Sequence, residues 1–278
     1  MSTLQLVLAQ INLLVGDIPG NTDQVVEVAR RAHREHGADL VLFPELTLCG
    51  YPPEDLLLRP SMQKRIDGAL ARLKGADLPC AVLVGYPRVI AGTVLNMAGL
   101  IQDGELVAEY AKQKLPNYQV FDELRYFVPG EHPCVIDIKG IPTAITICED
   151  IWHPEPVVQA ERAGARLMLN INASPFHRGK AGERLALLAR QSQAGKMPIV
   201  YVNSVGGQDE LVFDGGSFAV DAEGELCARA PEFVESLLPV TVEANGDTVT
   251  LGKGNDARPL DGLASVYQAL VLGVRDYV

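Results

Sequence analysis

The sequence has 278 residues, 47% of them hydrophobic and 21% charged, which suits one large globular domain or two small ones and excludes wholesale disorder. Its formal net charge is −11 and no Lys/Arg block reverses this locally, so neither nucleic acid nor an anionic membrane surface is an expected partner. The five cysteines (Cys49, Cys80, Cys134, Cys148 and Cys227) are scattered and form no Cys-x-x-Cys pair, which argues against a disulfide framework or a zinc ribbon.

The segment Met1–Gln10 has no basic n-region and reads as a strand rather than a signal peptide. No apolar run approaches the roughly 20 residues that span a bilayer. Together these features point to a cytoplasmic, reduced protein.

Short apolar runs then alternate with amphipathic stretches. Strands are expected at 5–10, 40–43 and 81–85, with helices over 22–36 and 62–73 between them. Gln102-Asp-Gly104 joins 93–101 to 105–110 as a hairpin, and Lys139-Gly140 joins 135–138 to 143–147 as a second. A helix over 154–163 stops at Gly164, a strand follows at 167–171, and a long helix runs over 179–196. Strands at 199–203, 217–220 and 226–229 follow, the last two joined by Asp221-Ala-Glu-Gly224. Gly206-Gly207 and Gly215-Gly216 read as turns. The pattern predicts a mixed sheet covered by helices on one face.

The texture changes near residue 240. Residues 242–261 are polar and Gly-rich and read as a loop or linker, giving a division into 1–245 and 246–278. A helix pattern opens at Leu263 and runs to Val278, with Leu270, Val271, Leu272 and Val274 in need of cover. It fits either a piece of something longer or a terminal helix docked on the body of the fold.

Three stretches could carry chemistry. Cys148 ends the strand-like run 142–147, just where sheet enzymes place reactive groups. A thiol becomes a nucleophile only on losing its proton, so it needs a base or cation beside it. Glu45, in Phe43-Pro-Glu-Leu46, closes another apolar run and could take and return that proton. Lys112, after the strand 105–110, could stabilise a thiolate and an oxyanion. Taken singly, each is as well read as a buried structural thiol, a loop carboxylate and a surface ammonium. The five histidines show no metal-ligand spacing, and no Gly-x-Ser-x-Gly elbow or phosphate loop is present.

In order and separation, Glu45, Lys112 and Cys148 resemble the Glu-Lys-Cys triad of the nitrilase superfamily, the carbon–nitrogen hydrolases. Lys112, three residues before Leu115, matches the family lysine better than Lys114, and Glu123, seven before Gly130, matches its second glutamate. Cys49-Gly-Tyr-Pro-Pro-Glu-Asp-Leu56, Leu115-Pro-Asn-Tyr-Gln-Val-Phe-Asp-Glu123, Cys148-Glu-Asp-Ile-Trp152 and Asn172-Ala-Ser-Pro-Phe176 are similar to one branch, the glutaminase domains of glutamine-dependent NAD synthetases. Residues 266–278 resemble the helix that opens the synthetase domain of such enzymes, whose Ser-Gly-Gly-x-Asp-Ser loop is not in this sequence.

The resemblance implies a four-layer α-β-β-α sandwich with two mixed sheets, and assembly as a homo-oligomer. It implies L-glutamine as substrate, with Cys148 as nucleophile, Glu45 as general base and acid, Lys112 at the oxyanion, and Glu123 positioning Lys112 or the substrate. Tyr51, Tyr118, Glu149, Trp152, Ser174 and Lys180 are the implied pocket, with Glu149 holding the ammonium, Lys180 the carboxylate and Trp152 forming a wall. Relatives can carry arginine at the Lys180 position, and lysine lacks its bidentate fork. No cofactor is implied for this part; ATP, magnesium and deamido-NAD are expected only in the C-terminal synthetase domain, the expected partner for ammonia. Two other readings stay open: a free-standing aliphatic amidase or nitrilase, and a non-catalytic assembly subunit. The stretch after residue 240 speaks against the first, and the intact Glu45, Lys112 and Cys148 against the second.

Overall fold

A computed structural model describes residues 2–278. The chain opens with β1 (Ser2–Gln10), α1 (Ile18–His36), β2 (Leu40–Leu42), α2 (Ser61–Lys74), β3 (Ala81–Ile90), β4 (Thr93–Gln102) and β5 (Glu105–Ala111). It continues with β6 (Cys134–Ile138), β7 (Ile141–Ile147), α3 (Pro154–Arg162), β8 (Leu167–Asn172), α4 (Lys180–Gly195) and β9 (Ile199–Asn203). The last part holds β10 (Val205–Gln208), β11 (Leu211–Asp214), β12 (Phe218–Val220), β13 (Leu226–Arg229), β14 (Ser236–Asn245), β15 (Thr248–Leu251) and α5 (Gly262–Tyr277).

Thirteen of these strands make two mixed sheets, not one, and β10 and β11 pair separately as an antiparallel hairpin. Seven run in the order β15-β14-β1-β2-β3-β4-β5, with β1, β2 and β3 parallel, and six in the order β13-β12-β9-β8-β7-β6, with β7, β8 and β9 parallel. The sheets bury their inner faces against each other. In β1 the alternation is explicit: Leu4, Leu6 and Leu8 join Ile145, Ile147, Leu169 and Val200 in the inter-sheet core. Val7 and Ala9 point the other way, with Val41 and Val82, onto Val25 and Ala29 of α1 and Ile66 and Leu73 of α2. On the second sheet, Met168, Ile199 and Tyr201 meet Val157 of α3 and Leu187 and Leu188 of α4. Helices therefore cover both outer faces, and the four layers follow from two-sided hydrophobic strands.

The single sheet read from periodicity is thus corrected. So is the first half of the loop expected over 242–261, whereas residues 252–261 do connect the last strand to the last helix without helix or strand. Gly246-Asp247 turns a hairpin in which Val242, Ala244, Val249 and Leu251 face the core while Glu243, Thr248 and Thr250 face solvent. The polar half of that alternation is what made it read as a linker, and the sheet continues past residue 245 to Leu251. Gly206-Gly207 lies within β10 rather than in a turn. Helix α1 starts at Ile18 because Asp17 caps it, accepting from Gly20 N–H at 3.1 Å, with Pro19 in the first turn.

Helix α5 docks through a narrow stripe: Ala269 and Leu272 are buried against Val205 and Phe233, and Asp276 accepts from Asn12 and Gly207 N–H, both at 2.8 Å. Leu263, Tyr267, Leu270, Val274 and Tyr277 remain exposed. Among the described residues no helix is long and apolar enough to cross a membrane.

One close approach places the first functional segment. The turn after β2 crosses β3 at Gly85, whose carbonyl accepts from Leu48 N–H at 3.0 Å. A Cβ at Gly85 would lie 2.3 Å from Leu46 N and 2.9 Å from Pro44 O. Gly85→Ala is therefore expected to lower stability by about 1–3 kcal/mol, and thermal unfolding should show a drop of several degrees. An unchanged melting temperature would show that the turn holding Glu45 moves freely.

Candidate active site

The key side chains sit at the ends of strands from both sheets. Glu45 follows β2 and Lys112 follows β5 in the first sheet, whereas Cys148 follows β7 and Ser174 follows β8 in the second. Glu123 comes from a single helical turn between them, Glu123–Arg125. The site is built where the two sheets meet, so it exists only once the sandwich has closed.

Lys112 is the centre, with its side chain fully buried. Its Nζ donates to Glu45 Oε1 at 2.7 Å and to Glu123 Oε1 and Oε2 at 2.8 and 2.9 Å. Burial alone would lower the ammonium's pKa, but Glu123 and Glu45 hold it well above the ordinary lysine value. Glu123 is pushed up to about 7 by burial, against the pull of Lys112 and with a further push from Glu45. Tyr51 donates to Glu123 Oε1 at 3.0 Å.

Cys148 is buried at 5% exposure, with φ of 43°. That left-handed conformation is uncommon for a residue with a Cβ and marks a sharp strand-to-helix turn. Burial, then the Glu45 charge, raises the thiol well above its ordinary value, with Lys112 opposing. The resting group is a protonated thiol, so it needs a base at the moment of attack.

Asp150 fixes that turn. Its Oδ2 accepts from Ile147 N–H at 3.0 Å and from the Tyr110 hydroxyl at 2.8 Å. Its Oδ1 accepts from Gln113 and Lys114 N–H at 3.0 and 2.8 Å. One buried carboxylate thus clips the chain after Lys112 to the turn that carries Cys148. Burial pushes Asp150 up to about 6, with Ile147 N–H and the Tyr110 hydroxyl opposing.

The other expected pocket residues form three pairs. The Tyr118 hydroxyl donates to Glu149 Oε2 at 2.9 Å. Lys180 Nζ lies 4.0 Å from the centroid of the Trp152 ring, a cation–π contact. Ser174 takes Arg184: Nε and Nη2 donate to its hydroxyl at 3.3 and 3.1 Å, and Nη2 to its carbonyl at 2.7 Å. Arg184 in turn pairs with Asp214 through two bonds of 2.8 and 2.9 Å, both side chains 2% exposed. A cleft lined by Tyr118, Phe121, Phe176, Lys180 and Val212 brings one member of each of the Tyr118 and Lys180 pairs to one opening, and another has Tyr51 and Glu123 in its wall.

Sequence reasoning missed Asp150, Arg184, Asp214, Asn203 and Asn96. Asn203 accepts from Ser174 N–H at 2.8 Å, and Asn96 donates to Glu45 Oε1 at 2.8 Å. One signal was available: Arg184 falls on the buried stripe of α4 with Leu187, Leu188 and Gln191, at a position where helical spacing calls for an apolar side chain. Among the described residues no group of His, Cys, Asp and Glu could hold a metal ion.

Known proteins match this arrangement. Residues 6–247 match the carbon-nitrogen hydrolase family. A glutamine-dependent NAD(+) synthetase of Xanthomonas campestris pv. campestris is 42% identical over 281 residues, covering 99% of this chain and 50% of its own length. The chain thus spans about half the length of the curated relatives it matches. The structure of a glutamine-dependent NAD+ synthetase from Acinetobacter baumannii, in complex with adenosine diphosphate, superimposes with a TM-score of 0.95 at 37% identity, covering 100% of this chain and 52% of that one. An amidase from Nesterenkonia sp. superimposes with a TM-score of 0.78 at 30% identity, covering 86% of this chain and 89% of that one. With its two-sheet sandwich and the match over nearly all of that body, the chain belongs to the carbon-nitrogen hydrolase family.

Proposed function

We propose that this chain hydrolyses the side-chain amide of L-glutamine and that its ammonia serves an ATP-dependent synthetase domain that amidates deamido-NAD. The observation that carries the chemistry is the buried Glu45–Lys112–Glu123 cluster, together with a buried Cys148 at the strand-to-helix turn after β7. The substrate reading rests on the synthetase relatives and on the opposite charges at the cleft.

Glu45 takes the Sγ proton as Cys148 attacks the amide carbon, and the developing oxyanion is stabilised by Lys112. The C–N bond breaks, Glu45 returns its proton to the departing nitrogen, and ammonia leaves a thioester on Sγ. Glu45 then takes a proton from the water that attacks the thioester and returns it to the departing sulfur, releasing glutamate and a free thiol. Two easier steps replace one difficult hydrolysis. Glu123 holds Lys112 through both of its oxygens and keeps it aimed.

Glutamine's free end is a zwitterion. Glu149 suits its ammonium, Lys180 and the Ser174 hydroxyl suit its carboxylate, and Trp152 walls the site while steadying Lys180. Tyr51 and Tyr118 orient the carboxylates that face the substrate. A short aliphatic amide offers nothing for these charges, so a panel of amides distinguishes the glutaminase from a free-standing amidase. On this reading ATP, magnesium and deamido-NAD belong to the synthetase domain, and no cofactor is required by the steps above.

Cys148→Ala should reduce ammonia release from glutamine to background with thermal unfolding unchanged, and Glu45→Gln, which removes the proton acceptor, should cost roughly a hundredfold to ten-thousandfold in kcat. Turnover near wild type in the cysteine variant would sink the reading. The pH profile gives a separate check. Protonating Glu123, which happens as pH falls through about 7, breaks its ion pair with Lys112, so kcat/KM should rise with pH across that range. In Glu123→Gln the limb near 7 should vanish at reduced overall rate, and its persistence would assign the limb to another group.

A further inference from the structure

The carboxylate of Glu45 has three donors, from three places in the fold. Oε1 accepts from Lys112 Nζ at 2.7 Å and from Asn96 Nδ2 at 2.8 Å, and Oε2 accepts from Ala173 N–H at 3.1 Å. The terminal torsion of a glutamate is broad and nearly two-fold, so donors alone decide the plane of its carboxylate. Lys112 is shared between two carboxylates. Among the described residues the Asn96 side chain bonds to Glu45 alone.

Asn96 is an unusual occupant of its position. It lies inside β4 at 1% exposure, within Val94-Leu-Asn-Met-Ala98, where an apolar or β-branched side chain suits the strand better. Its amide oxygen is buried without a partner, which costs stability. Turning the amide over would set that oxygen against the Glu45 carboxylate, so the donor orientation is the one the site selects. Its backbone is engaged as well, because the Asn96 carbonyl accepts from Lys112 N–H at 2.9 Å. A single residue therefore fixes the main chain of the lysine and the carboxylate of the base.

We propose that Asn96 is a positioning residue of the hydrolytic site: its carboxamide pins Oε1 of Glu45, keeping that carboxylate aimed for proton transfer from Cys148. The inference rests on Glu45 acting as the base. It makes Asn96 a residue kept at the expense of stability.

The test uses two variants of the full chain. Asn96→Leu keeps the bulk and removes the donor, and Asn96→Asp keeps the shape and adds a charge. Alkylation of Cys148 by iodoacetamide, located by peptide mass spectrometry and followed against pH, reports proton removal from the thiol without any amide substrate. Thermal unfolding and the kcat and KM for glutamine are measured alongside.

Asn96→Leu should melt at or above the wild-type temperature, yet lose about tenfold or more in both alkylation rate and kcat at neutral pH, with KM changed by less than about threefold. In both variants the acid limb of alkylation should move to higher pH, because a lost donor or an added negative charge disfavours an ionised carboxylate. The other titratable groups around Glu45, namely Lys112, Glu123, Cys148, Cys49 and Tyr51, keep their residue types in both variants. If Asn96→Leu unfolds, the shift in Asn96→Asp decides. Wild-type alkylation profiles and kcat in folded variants would overturn the proposal, as would activity lost only in proportion to folded protein. Should the wild type release no ammonia from glutamine while its alkylation still depends on Asn96, the positioning role stands and the substrate reading falls.

Discussion

A full positive charge with no exposed surface organises this molecule. The side chain of Lys112 is fully buried, and an ammonium so placed without partners would cost several kcal/mol. Glu45 and Glu123 at 2.7 and 2.8 Å make the burial tolerable, and each depends on the lysine in the same way. Removing one member of such a set typically costs about 3–5 kcal/mol, because the rest are left as unpaired buried charges. Two carboxylates around one ammonium also leave the set able to hold a proton near neutrality, which is why Glu123 is pushed up to about 7 by burial and by Glu45.

That constraint explains the architecture. The base and the lysine end strands of one sheet, and the nucleophile ends a strand of the other. Neither sheet alone can bring them together. Asp150 ties the two halves with three hydrogen bonds, and the Ala173 N–H from the second sheet reaches Glu45 in the first. Below the opening, Arg184 and Asp214 hold Ser174, and the β10–β11 hairpin that supplies Asp214 also carries the docking stripe for α5.

How much of this was legible follows from what each residue does. Strands β1–β9 and β12–β13 were readable because their faces are apolar and their turns carry Gly, Asp or Lys-Gly. The β14–β15 hairpin was not, since its solvent face of Thr and Glu outweighs its apolar face in a polar, Gly-rich stretch. The second sheet was hidden for a different reason: periodicity shows that a strand is buried, not which sheet buries it. Glu45, Lys112, Cys148 and Glu123 were found through motif order, and the structure brings the first two and Glu123 into direct contact. Asn96, Asp150 and Arg184 act through partners distant in sequence, by 51, 40 and 30 residues for Glu45, Tyr110 and Asp214, and no local pattern encodes such pairings.

The central claim is that Cys148 forms a covalent bond with the carbon of a glutamine amide while its proton moves to Glu45. The most direct measurement is acid-quench mass spectrometry of the protein mixed with glutamine, with the adduct mapped by peptide analysis. The account predicts a transient γ-glutamyl group on Cys148, formed no more slowly than steady-state ammonia release. Ammonia release with no adduct, or with the adduct on any other cysteine, would contradict it.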